Sequence, residues 1–235
     1  AVAAITNLLA TSTSANATTY STNAFTPAAS SIIFAFVAAS GTTATNPWLE
    51  ISTESWRRFT LVTTAQWGGG ANRLYGFISN GSVSSASPMK AFFNCAQDAA
   101  TGAIIQMAQV TGMSRTGLTA IRQIAVVDSD SAASTVPTVT FAVSTLTANA
   151  CIAGVGYNSS LAGCIPMSGW TEGADLGYTT PSTALECMYR NSGTTSTTVS
   201  SGAPISSLNC MMAFELNVST IDMPMGTNLQ CMYIR

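Results

Sequence analysis

The hydrophobic residues of this chain recur with a period of two, and no long stretch carries the three-to-four spacing of a helical face. Successive strand side chains point to opposite sides, so a period of two writes a strand. The runs are short and bounded by Gly, Pro, Asn and Ser clusters. Ser31 to Ala38 is apolar on both faces, as in a central strand covered on both sides. Phe59 to Thr64 and Leu74 to Ile78 follow, flanking Trp67-Gly68-Gly69-Gly70, whose glycines supply a flexible turn. Ala91 to Cys95 and Ala103 to Val110 come next, then a loop through Asp128 to Pro137.

In the second half Cys151, Ala153, Val155 and Tyr157 alternate with smaller residues. Leu185, Cys187 and Tyr189 alternate with Glu186, Met188 and Arg190, and Cys210, Met212, Phe214 and Leu216 alternate within Asn209 to Asn217. These read as half-exposed antiparallel strands with their polar side chains outward. The pattern predicts an all-β chain, an antiparallel β-sandwich of jelly-roll type over residues 23–217. Phe34 and Phe36 are expected in its core, against the strand Cys210 to Leu216. Residues 1–22 and 218–235 read as N- and C-terminal arms, with apolar anchors at Ile5, Leu8 and Leu9 and at Met232, Tyr233 and Ile234. A strand completing its own sheet is the alternative for either arm.

Composition narrows the chemistry. The chain has no histidine, and 8% of its 235 residues are charged. Histidine is the side chain that titrates nearest neutrality, so the usual general base and metal ligand are missing. Six cysteines form no CxxC pair, so neither a zinc site nor a framed cysteine nucleophile is expected. Cys164, in a Gly-Pro loop, and Cys231 are the two best placed for a disulfide, and the pairing stays open. Ser87 to Lys90 matches S-x-x-K without its partner motifs. Asp128 and Asp130 offer hard oxygen ligands, but without the further carboxylates and glycine of a calcium loop. Glu172 and Asp175, beside Trp170 and Tyr178, are the candidate partner or glycan contacts, and as a carboxylate pair they also raise glycoside hydrolysis.

The expectation is a non-enzyme with no cofactor and no metal. Net charge is -2, and the basic residues are scattered apart from Arg57-Arg58, which disfavours direct nucleic-acid binding. The apolar run Ile32 to Ala39 is less than half the ~20 residues a membrane-spanning helix needs. The opening Ala1-Val2-Ala3-Ala4-Ile5 lacks the basic region of a secretory signal and reads as a mature terminus. A surface this poor in charge suits a subunit held among copies of itself, a dimer or trimer.

Several segments resemble a known group. Asn23-Ala24-Phe25-Thr26-Pro27 leads into an apolar strand, and Val110-Thr111-Gly112-Met113-Ser114-Arg115-Thr116-Gly117 follows later. Then come Trp170-Thr171-Glu172, Asp175-Leu176-Gly177-Tyr178, Pro181, Leu185-Glu186 and Arg190-Asn191-Ser192-Gly193. Over roughly residues 20 to 217 the series resembles the Ala/Ser/Thr-rich, jelly-roll or lectin-like structural proteins of tailed bacteriophages. The resemblance implies a virion component, a capsid decoration or cement protein bound to the major capsid protein at the capsid surface. The alternative is a receptor-binding module of a tail or fibre, holding a host-surface glycan. The six cysteines and the Met223/Met225 end depart from the pattern.

Overall fold

The computed structural model describes residues 3–54, 57–96, 98–129, 135–160 and 163–217. The first half contains β1 (Ala4–Thr13), β2 (Thr19–Ser21), β3 (Ile32–Ser40), β4 (Trp48–Ile51), β5 (Phe59–Trp67), β6 (Asn72–Ser79), β7 (Ala91–Asn94) and β8 (Gly102–Thr111). A 3-10 turn, Gly117–Ala120, leads into β9 (Ile121–Ser129), β10 (Thr138–Thr140), β11 (Cys151–Tyr157), β12 (Thr171–Thr179), β13 (Ser182–Arg190), β14 (Thr198–Ser200) and β15 (Asn209–Leu216). All strand pairings are antiparallel.

The strands build four layers. Two five-stranded sheets, ordered β1-β8-β3-β6-β5 and β12-β13-β11-β15-β9, face each other at the centre. The small sheet β2-β7-β4 covers the far side of the first, and the pair β10-β14 covers the far side of the second. Three apolar cores result. The central one joins Phe34, Phe36 and Trp67 to Ile152, Met212 and Phe214, with the Phe34 and Phe214 rings 4.7 Å apart. The Ser40 and Tyr178 hydroxyls share a 2.6 Å hydrogen bond between the same two sheets. Gly76 lies under Phe214, where a Cβ would stand 2.7 Å from the ring.

Four layers explain why β3, β11 and β15 are buried along their whole length. The expectation of half-exposed strands in the second half is therefore corrected. Residues 184, 188, 211 and 213 meet an outer layer instead of water, and Glu186 and Glu215 are enclosed with them, each 0% exposed. For the N-terminal segment the arm reading is corrected and its alternative holds: it is strand β1, paired with β8 from Ala4↔Thr111 to Thr13↔Ala103. Its period of two was masked by Thr, Ser and Asn, which suit the exposed side of an edge strand. The expected C-terminal arm, with Met232, Tyr233 and Ile234, lies outside the described residues.

The two halves share one strand order. Ranked within its own half with β4 set aside, β9-β15-β11-β13-β12 repeats β1-β8-β3-β6-β5, and β10-β14 repeats β2-β7. The place of β4 is taken by the loop after β11, whose Ile165 carbonyl accepts a 2.6 Å bond from Gly202 N just past β14.

Candidate functional site

The residues singled out in the sequence converge on the ribbon β12–β13. Asp175 stands opposite Glu186 and Glu172 opposite Met188, with a bulge between Glu172 and Ala174. Glu172 and Asp175 are three apart, so an uninterrupted strand would send them to opposite faces. The bulge adds one residue and turns both toward the face shared by Glu186 and Met188, where Asp175 is half-buried and Glu172 exposed.

There the Asp175 carboxyl meets a loop. Asp175 Oδ1 accepts from the Tyr157 hydroxyl at 2.8 Å, and its Oδ2 accepts from Cys164 N at 3.1 Å. Cys164 N and Gly163 N also donate to the Tyr157 oxygen, at 3.2 and 3.3 Å. Burial holds the Asp175 carboxyl above the usual range, although these hydrogen bonds pull it down. Glu186 is fully enclosed, and neither carboxyl oxygen has a hydrogen-bond partner. Burial first, then the nearby charges of Asp175 and Glu172, push it up to about 9. At neutral pH it is a neutral acid, while Asp175 fastens the loop to the sheet.

The aromatic members do not join them. Trp170 is 9% exposed and packs into the outer core, and Tyr178 is 8% exposed and points through the opposite face into the central core. Of the expected glycan contacts Trp170, Glu172, Asp175 and Tyr178, only Glu172 is exposed. The sugar-stacking edge read from these residues is corrected: both rings lie against protein, and the bulge sends these two positions, eight apart, to opposite faces.

The remaining candidates are dispersed. Ile5 is 1% exposed in the central core, and Leu8 and Leu9 pack against the core beneath β2-β7-β4. Asp128 Oδ1 accepts from Gln66 N at 2.8 Å, and Asp130 lies outside the described residues. Asp128, Gln66, Arg73 and Thr64 line a polar hollow of about 250 Å³ beside β5 and β9. Five cysteines are buried free thiols, Cys164 among them, while Cys231 is outside the described residues. Burial raises Cys95 to about 11 and Cys151 to about 12, and lifts Cys164, Cys187 and Cys210 well above the usual thiol range. Thiols held protonated in this way are inert structural groups. Among the described residues no group of three or more Cys, Asp or Glu side chains is placed to hold a metal ion.

Compared with protein-family models, curated proteins and solved structures, the chain matches none.

One feature was not singled out in the sequence: the rim of β9. Glu215, wholly buried, accepts from Arg122 Nη1 and Gln123 Nε2 at 2.5 Å, Asn149 Nδ2 at 2.7 Å and Leu146 N at 2.8 Å. It clips the segment before β11 against the start of β9. Ile124 and Val126, on β9, are 40% and 39% exposed. The run Ile121-Arg122-Gln123-Ile124-Ala125-Val126-Val127 carries a strand signal, but its polar pair at 122–123 breaks the alternation.

Proposed function

We propose that this chain is a non-catalytic structural subunit of a tailed-phage particle, a decoration or cement protein that binds the major capsid protein and itself. The four-layer stack carries the reading. Both central sheets are filled on both faces by apolar cores, so the molecule is a stiff block with an outer surface made mainly of Ser, Thr, Asn and Gly. Such a surface packs flat against neighbours with few charges to desolvate. The side chains that could act as nucleophiles support the same reading, since the described cysteines are buried and protonated. The repeated strand order supports a jelly roll in each half.

The test is co-sedimentation of the purified full chain with phage shells stripped of accessory proteins. Saturable binding in fixed proportion to the shell protein is expected. Failure to bind shells, together with specific capture by host-surface glycans, would replace the reading with a receptor-binding module.

A further inference from the structure

We infer that β9 is a pairing edge for a second copy of this chain, the two β9 strands joining antiparallel about Ala125 so that the central sheet continues across a two-fold axis. The inference rests on the self-association named above, but not on attachment to a shell.

An edge strand presents unpaired backbone groups, and proteins blunt such edges with bulges, proline or lysine. The two central sheets have four edges. In β1 the bulge falls at Asn7/Leu9, in β5 at Leu61/Thr63 and in β12 at Glu172/Ala174, each inside the strand. In β9 the irregularity sits at its first residues, and Gln123 to Ser129 runs in unbroken register with Glu215 to Asn209. β9 carries neither proline nor lysine, and among the described residues only β15 pairs with it.

The apolar surface gathers at the same place. Ile124 and Val126 lie on β9 and Leu118 just before it, all exposed. Exposed Val143 and Leu146 are tied alongside through Gln123 and Glu215, and exposed Val136 lines a hollow with Val127 of β9. Apolar side chains clustered on an open edge mark an interaction site.

Sequence symmetry selects a second copy as the occupant. With Ala125 opposite Ala125, Ile124 of one copy meets Val126 of the other, and Arg122 comes level with Asp128. On the face that carries these four residues apolar meets apolar and charge meets its opposite, twice over, as a two-fold interface requires, while on the other face Gln123 comes level with Val127. A net charge of -2 adds little repulsion between copies.

Light scattering on the purified full chain at micromolar concentration tests this. The mass should be twice 24.2 kDa. Ile124→Lys with Val126→Lys, both at exposed positions, should weaken the dimer by about tenfold or more through like-charge and desolvation costs, with an unchanged circular dichroism spectrum. The double variant Ile124→Cys/Val126→Cys should oxidise to a covalent dimer joined between positions 124 and 126, whereas Ile124→Cys alone should not. A monomeric wild type, a dimer indifferent to the lysines, or a linkage at other positions overturns the inference. Should the lysine variant lose its fold, the cysteine linkage decides. Because every readout uses free protein, failure to bind shells leaves this result standing.

Discussion

The Phe36 ring occupies the space above Gly154: a Cβ at that glycine would stand 2.6 Å from the ring's Cδ1. Phe36 belongs to β3 and Gly154 to β11, the middle strands of the two facing sheets, so this contact fixes how closely the halves approach.

Gly154→Ala should therefore destabilise the fold by about 1–3 kcal/mol, the usual cost of overpacking a filled core. Pairing it with Phe36→Leu, which withdraws the ring, should recover part of the loss. Urea midpoints of the wild type, both single variants and the double variant check this. Additive losses would show that the two residues do not touch.

Glu186 makes stability depend on pH. Its ordinary value is 4.5, and in the fold it is pushed up to about 9, chiefly by burial. Between those values the folded state keeps a proton that the unfolded state has released. Stability is thus greatest below about pH 4.5 for this group and falls as pH rises toward 9, by up to about 1.4 kcal/mol per pH unit. Asp175, also raised, acts in the same direction. Glu186→Gln should flatten the decline in urea midpoint between pH 5 and pH 8. Equal slopes in the two proteins would contradict the buried, unpaired carboxyl.

Glu215 is just as buried, but its oxygens are satisfied by Arg122, Gln123, Leu146 N and Asn149. Removing one partner of a buried ion pair costs about 3–5 kcal/mol. Glu215→Ala should lose stability in that range and speed amide exchange at Leu146. A loss of under about 1 kcal/mol would place the carboxylate outside the network.

Much of the central core was legible. The apolar run in β3 and the alternation of β15 announced a meeting of Phe34, Phe36 and Phe214, whose rings do pack together. The outer layers were not legible, since period two says which residues share a face but not what covers the second face. Glu186 and Glu215 look like solvated residues for that reason, yet both are fully enclosed. Trp170 and Tyr178 suggested a shared site because they are close in sequence, yet they enter different cores. β9 was missed as a strand, and β1 was read as an arm with a strand only as its alternative, because Thr, Ser, Asn, Arg and Gln occupy positions that an edge leaves open to water.

The proposal of a particle subunit is tested most directly by quantitative mass spectrometry of purified phage particles produced from the genome that encodes this chain. The chain should be present at a copy number in fixed proportion to the major shell protein, and should stay with the particles through salt washing. Its absence from washed particles, with the shells complete, would contradict the account.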